Sequence, residues 1–505
     1  MTAICIMVLG TTSNAGKSWL ATALCRYYSN LGFKVAPFKA QNMSNNARVV
    51  GGVMDGVGGE IGSAQYFQAL AARALPEVRM NPLLLKPEAD THSQVVLLGQ
   101  VNQTLTDLPW RERSEHVWPH IARALDALRS ENDIVVIEGA GSPAEINLMD
   151  SDIVNLRVAR HANARCLLVT DIDRGGAFAH LYGTWVLMPE ADRALIRGFV
   201  LNKFRGDANL LAPAPQMLQG LTGIPTVATL PMWREHGLPE EDGVFDDGVA
   251  GAGAGAITIA VIAYPRISNL DEFQPLKNMH GVRLIWVRSA AQLVALTQGD
   301  WIILPGSKNT RSDLAWLKDR GLDIPLKAHA ARGGRVLGIC GGLQMLGVSL
   351  LDPNGVERSD ESADRETTGL GLLPIETIFA NDKTVRRCEL SFGALHGAWQ
   401  ALSNVTLTGY EIHHGITTVI AKTAQDEARL DVACEPIFGL AWQNSQGNVL
   451  GIYLHGIFED ATLLQALWGT SAPSLDSVFD GLANFLDAHV DDGFLAKLAV
   501  KLAHA

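Results

Sequence analysis

The chain is expected to be an α/β protein in which one doubly wound parallel sheet is followed by a second α/β domain. Three observations lead there. Short apolar runs end repeatedly in glycine or polar residues and pass into helical spacing, the pattern of strands joined by crossover helices. A length of 505 residues exceeds what one core accommodates and suggests about two to four domains. Forty-nine glycines and 47% apolar residues supply tight turns and ample core.

Composition narrows the function classes. Six cysteines at 5, 25, 166, 340, 388 and 434 form no paired framework and no metal-ligand spacing, so a reducing cytoplasm is expected and structural zinc is not. Residues 2–9 are apolar without a basic flank and lead straight into a glycine loop, as a strand would rather than a signal peptide. No run of 18 apolar residues occurs, so no membrane span is expected. The net charge of -12 disfavours nonspecific nucleic-acid binding. A local basic pocket for an anionic substrate remains compatible with it.

In chain order, residues 3–9 form an expected strand, then GTTSNAGKS at 10–18, then a helical pattern over 19–28. This is a phosphate loop. Amides around Thr12, Asn14, Ala15 and Gly16 would cradle phosphate oxygens, Lys17 would neutralise β- and γ-phosphate charge, and the Ser18 hydroxyl could bind Mg²⁺. Gly10 lies seven residues before Lys17, one more than the common spacing. A second strand over 35–38 ends in Lys39, the edge at which open α/β sheets bind ligands. Lys39 could there position substrate or phosphoryl groups, although a solvated surface lysine is the more ordinary outcome. The amide-rich run 41–46 could grip carboxamides or carboxylates, or be a plain turn.

Asp55 and Glu60 precede a helical pattern at 64–74, and a strand over 134–137 ends in Glu138. Because Mg²⁺ favours one or two carboxylates with phosphate oxygens and water, Ser18, Asp55 and Glu138 form the expected metal set. Strands over 166–170 and 198–201 feed DIDRGG and NKFRGD to the same edge, where Asn202 suits an adenine edge or a turn equally well. Residues 1–235 thus read as one nucleotide-binding domain. The acid-, glycine- and alanine-rich 236–256 reads as a linker.

A second domain is expected over 257–460, with strands at 257–263 and 301–304, the latter running into PGSKNT at 305–310. In GGRVLGICGGLQMLG, at 333–347, a strand over 336–339 delivers Cys340 among glycines to a tight strand-to-helix turn. Helix N-terminal amides after such a turn favour a thiolate. Amides at Gly306 and Gly341 are candidate oxyanion donors. A strand over 449–454 brings His455 to the same rim. Cysteine and histidine at separate strand ends suit acyl transfer, with imidazole taking the thiol proton. His413 and His414 are expected to line the site. Residues 461–505 read as a helical C-terminal segment.

GICGGLQMLG and YLHGIF resemble the class I glutamine amidotransferases, while GTTSNAGKS, PFKAQN and IEGAGS resemble the dethiobiotin synthetase-type ATP domain. Fused in this order, and with PFKAQNMSNN, EIGSAQ, MNPLLLKP, LPGSKNT and GYEIHHG, they resemble the cobalamin-pathway amidases. The resemblance implies ATP and Mg²⁺, L-glutamine as nitrogen donor, and a corrinoid as substrate rather than cofactor. It further implies amidation of the b, d, e and g carboxylates of adenosylcobyrinic a,c-diamide, with one glutamine and one ATP per amide. The family relative that makes the a,c-diamide itself is the nearest alternative. A phosphate-loop ATPase switch with an inactive rear half is the non-enzymatic one. The wider amidotransferase family carries a glutamate two residues after the histidine, where this chain has Ile457. Glu459 and Glu411 are the candidates to replace it.

Overall fold

The computed structural model describes residues 2–51, 58–89, 92–239, 256–357, 365–420 and 434–500. Asp55 and most of the expected linker, 240–255, lie outside the described residues. The chain divides into two compact units. Unit 1 comprises Met1–Ser44, Val50–Leu238 and Ser474–Ala505, and unit 2 comprises Asn45–Val49 and Pro239–Pro473.

Unit 1 is built on six parallel strands, β1 (Ile4–Gly10), β2 (Val35–Phe38), β3 (Ile134–Glu138), β4 (Arg165–Asp171), β5 (Ile196–Phe204) and β6 (Thr226–Pro231). Their order is β6-β5-β4-β1-β3-β2. β1 to β3 read as continuous apolar runs because helices cover both faces of a parallel sheet. After β1 the chain fills one side with β2 and β3, then crosses to β4 on the other. The carboxyl end of β1 is therefore the topological switch point, where open α/β sheets bind ligands. Helix α1 (Lys17–Asn30) starts there and buries Leu20, Leu24, Cys25 and Tyr28.

The C-terminal stretch, expected as one helical segment from 461, is divided between the units. Helix Ala461–Trp468 stays with unit 2, whereas helix Leu475–His489 packs on α1 in unit 1. Val478, Phe479, Leu482 and Leu486 form its buried face. Arg26, fully buried, pairs there with Asp476 and Asp480, and the Tyr28 hydroxyl donates to Leu495 O at 2.9 Å.

Unit 2 has a seven-stranded sheet of β7 (Ile257–Ile262), β8 (Val282–Val287), β9 (Trp301–Leu304), β10 (Arg335–Ile339), β13 (Cys434–Ile437), β14 (Ala441–Gln443) and β15 (Val449–Ile452). A long antiparallel hairpin, β11 (Ile375–Ser391) with β12 (Thr406–Val419), belongs to a smaller second sheet. The large sheet runs β8-β7-β9-β10-β15-β14-β13, parallel through its first five strands and antiparallel at the end. β15 stops at Ile452, before the expected 454. His455 lies past it in an isolated antiparallel bridge to Tyr410 of β12.

Candidate catalytic and nucleotide sites

In unit 2 the parallel sheet brings β10 and β15 side by side, so Cys340 and His455 leave neighbouring strand ends. Cys340 has φ 50 and ψ -106 and stands at the N-cap of the short helix α3 (Gly341–Leu346). That conformation is rare for a residue with a side chain and is kept only where its surroundings over-determine it. The glycines are those surroundings. A Cβ on Gly342 would come 1.9 Å from Leu304 O, and one on Gly338 would come 2.7 Å from the Gly342 backbone. The Cys340 thiol is 5% exposed and donates to Ile412 O at 3.6 Å.

His455 is buried, with Nδ1 3.2 Å from Glu272 Oε1, and its ring lies near enough to Cys340 for the two to interact electrostatically. With Nδ1 committed to the carboxylate, Nε2 is the nitrogen left for sulfur. Burial alone would lower the imidazole pKa, but the Glu272 carboxylate and then Cys340 outweigh it and push the ring up to about 10. The second Glu272 oxygen accepts from Gly456 N at 2.9 Å, which fixes the carboxylate plane.

Glu272 is therefore the acid that faces His455, and neither sequence candidate does so. Glu459 Oε1 lies 2.5 Å from Arg48 Nη2. Glu411 accepts from Arg386 Nε at 2.6 Å and contacts His413 Nε2 at 3.0 Å. The triad geometry needs a carboxylate in space, not at a set distance along the chain, and a turn after β7 supplies it. Adjacent acids at 271 and 272 inside the otherwise apolar LDEF were the available signal. His413 has Nδ1 on Gly415 O at 2.9 Å and stacks on Tyr453, while His414 Nδ1 meets Ala380 O at 3.2 Å.

The segments of the expected oxyanion donors converge. A Cβ on Gly306 would strike His455 Cε1 at 2.6 Å, and one on Gly341 would come 2.8 Å from Ser307 N. Asp313 braces this loop, accepting from Ser307 Oγ at 2.6 Å and Arg266 N at 3.2 Å. Burial pushes its carboxyl up to about 7.

In unit 1 the phosphate loop joins β1 to α1 with Asn14 at φ 59 and Gly16 at φ 103. Lys17 Nζ donates to Thr12 O at 3.0 Å and Gly141 O at 3.3 Å, so it folds back over the loop. Asn202 fastens the loop from below. Its Nδ2 donates to Ala15 O at 3.0 Å, its Oδ1 accepts from Lys203 N at 2.9 Å, and a Cβ on Gly16 would lie 2.0 Å from Nδ2. These bonds fasten the Asn202 amide to the loop. Lys203 Nζ adds contacts to Asn14 O at 2.9 Å and Asp171 Oδ2 at 3.1 Å.

Glu138, Lys39 and Ser18 meet at this switch point from three separate elements. Glu138 Oε1 accepts from Ser18 Oγ and from Lys39 Nζ, each at 2.8 Å, and Oε2 accepts from Gln68 Nε2 of helix α2 (Ser63–Ala71) at 2.6 Å. Burial would raise the Glu138 pKa, but Lys39 and then the Ser18 and Gln68 hydrogen bonds outweigh it, so the carboxylate is held below its ordinary range. An ionised carboxylate beside a hydroxyl at the loop's end fits Mg²⁺, which takes hard oxygens and draws its remaining ligands from phosphate and water. Among the described residues no group of three or more His, Cys, Asp or Glu could hold a metal. Lys39 is buried and paired, and Gln68 and Lys203, which face Glu138 and the loop, carried no sequence signal.

Comparison with known proteins agrees with both halves. A CobQ/CobB/MinD/ParA nucleotide binding domain model matches residues 6–238, and a CobB/CobQ-like glutamine amidotransferase domain model matches residues 258–463. The cobyric acid synthase of Variovorax paradoxus is 70% identical over 498 residues, 99% of this chain and 100% of its own. That of Albidiferax ferrireducens is 67% identical over 505 residues, again 99% and 100%. That of Leptothrix cholodnii is 59% identical over 501 residues, 98% of this chain and 96% of its own. With a nucleotide-binding half, a glutamine amidotransferase half and identity of this extent from end to end, the chain belongs to the cobyric acid synthase family of amide-forming ligases in cobalamin biosynthesis.

Proposed function

We propose that this enzyme uses ATP and L-glutamine to amidate the b, d, e and g side-chain carboxylates of adenosylcobyrinic a,c-diamide, giving adenosylcobyric acid. The observation that carries the reading is the pairing of a thiol–imidazole–carboxylate chain, Cys340–His455–Glu272, with a phosphate loop whose Ser18 and Lys39 share the Glu138 carboxylate.

In unit 2, His455 holds the Cys340 proton while the thiolate attacks the side-chain carbonyl of glutamine. Backbone amides at Gly306 and Gly341 receive the developing oxyanion. The imidazolium protonates the departing amine, ammonia leaves, and water drawn to His455 hydrolyses the thioester to glutamate. Glu272 keeps the ring in the tautomer this exchange needs.

In unit 1 the loop amides at Thr12, Asn14, Ala15 and Gly16 hold the ATP phosphates, with Asn202 keeping the loop in shape. A corrinoid carboxylate, a poor electrophile, takes the γ-phosphoryl group and becomes an acyl phosphate with release of ADP. Lys17 offsets charge on the transferring group and Lys39 positions the carboxylate. Ser18, Glu138 and Asp55 would hold Mg²⁺, which when bound would neutralise charge on the phosphates. Ammonia then displaces phosphate to leave the amide. We assign the chain to the cytoplasm, in keeping with six free cysteines and, among the described residues, no helix long and apolar enough to cross a membrane.

The test is incubation of the full chain with candidate corrinoids, glutamine and Mg-ATP, counting added amides by mass spectrometry. The a,c-diamide should gain four amides, one at each of the b, d, e and g carboxylates. A preference for the uncapped acid would transfer the assignment to a,c-diamide formation. Cys340→Ala should abolish product with glutamine and spare it with ammonium salt, whereas Lys17→Ala should remove both.

A further inference from the structure

The acid that faces His455 is itself held by chain from far upstream. Residues Asn45–Val49 lie just beyond the PFKAQN motif, with two residues between, but fold with unit 2. Asn46 Oδ1 accepts from Leu270 N at 2.8 Å, and Ala47 N donates to Asn269 Oδ1 at 3.4 Å. Arg48 donates to Asp271 Oδ2 through Nε at 3.0 Å and also through Nη2. Three successive residues thus grip the turn that ends in Glu272. Its first residue, Asn269, sits in the left-handed region at φ 56, which needs such support.

Arg48 also packs on Tyr410, the ring that stacks on the histidine. Its guanidinium lies 5.3 Å from the Tyr410 ring centroid, and that ring stacks on His455 with centroids 5.6 Å apart and planes at 22°. A Cβ on Gly456 would come 3.4 Å from Arg48 Nη1. Among the described residues, Asp271, Glu459 and Tyr410 are groups that face Arg48, and Glu272, Cys340 and Tyr410 are groups that face His455. Arg48 is 1% exposed, as is Asp271. A buried ion pair of this kind adds little net stability over an apolar replacement, because desolvation consumes most of the Coulombic gain. What it supplies is a fixed geometry, since a guanidinium fork permits few arrangements of its partners.

We infer that Arg48 is a positioning residue of the glutamine-hydrolysing site: by clamping Asp271 and Glu459 while packing on Tyr410, it fixes the turn that presents Glu272 to His455. The inference rests on the reading of Cys340, His455 and Glu272 as the glutaminase. Without the guanidinium, Asp271 and Glu459 lose their shared counter-charge and the orientation of Glu272 is lost.

Full-length Arg48→Met, Arg48→Lys, Asp271→Asn and the double variant Arg48→Met/Asp271→Asn test it. Each is assayed for glutamine hydrolysis, for ammonium-driven amidation, and for the pH dependence of iodoacetamide alkylation followed on the Cys340 peptide. Arg48→Met should lower kcat for glutamine about 10- to 100-fold, the range seen when orienting partners are removed, with KM for glutamine within about 2-fold. It should displace the alkylation profile and leave ammonium-driven turnover intact. Arg48→Lys should recover part of kcat, and removing Asp271 together with Arg48 should cost less than the two single losses combined. Should Arg48→Met fail to fold, Arg48→Lys carries the test through the same displacement of the alkylation profile. Equal losses on both nitrogen routes, an unmoved alkylation profile or an unchanged kcat would each overturn the inference. Glutamine hydrolysis persisting in Cys340→Ala would instead remove the glutaminase reading beneath it.

Discussion

Replacing Glu272 with glutamine removes one charge from the buried chain while keeping its shape. In the native site the His455 pKa rises from 6.5 to about 10, a preference of about 5 kcal/mol for the imidazolium. Burial works against that preference, so Glu272 and Cys340 together outweigh it, and the charge of Glu272 is the largest single opposing cause. Glu272→Gln loses this share, and its amide N–H turned toward Nδ1 would select the tautomer with the proton on Nε2, where it cannot accept from sulfur. The comparable carboxylate-to-amide change in a serine triad lowers kcat about 10⁴-fold. A fall of about 10³- to 10⁴-fold in glutamine-driven amidation is expected, measured by glutamate release, with ammonium-driven amidation unchanged and the melting temperature lowered by a few degrees. Retention of glutamine-driven turnover within about 3-fold of the native value would refute the role of Glu272 and with it the triad.

Other outcomes follow from the same geometry. Because the folded pKa of His455 lies above its ordinary 6.5, the stabilisation from its ion pair is complete below pH 6.5 and fades as pH rises through about 10. The melting-temperature gap between the native protein and Glu272→Gln should narrow over that window, and a constant gap would contradict the pairing. Gly16→Ala places a methyl 2.0 Å from Asn202 Nδ2 at φ 103, a strain of about 1–3 kcal/mol. Calorimetric ATP titration should show weakened binding, and unchanged affinity would exclude a tight loop. Lys39→Met leaves Glu138 with only its Ser18 and Gln68 hydrogen bonds, and breaking a buried pair costs about 3–5 kcal/mol. Both nitrogen routes should fail and urea unfolding should shift, so full ammonium-driven turnover would count against Lys39.

Some of the site was legible because one residue's own neighbours dictate its conformation. Cys340 between glycines can be read as a sharp turn since Gly338 and Gly342 leave no room for a Cβ. Strands such as Val35–Phe38 and Trp301–Leu304 occur where expected because parallel strands covered on both faces must be apolar throughout. The hairpin of β11 and β12 carries no clear signal in the sequence, since more than a third of its residues are exposed and its long strands lack a continuous apolar run. The strand expected over 449–454 to deliver His455 ends at Ile452, the backbone turning aside to bridge Tyr410.

The amino-acid order by itself determined the phosphate loop, the cysteine elbow, the succession of strands and helices and, through extended similarity, the family. These are local properties, set by backbone sterics and by which faces must be apolar. Only the tertiary structure decided which acid serves His455, that Gln68 and Lys39 converge on Glu138, and that residues 45–49 brace the turn before Glu272. Charge and hydrogen bonding act through space over a few ångströms, so partners 183 positions apart, as Glu272 and His455 are, leave no periodic trace in the chain that joins them.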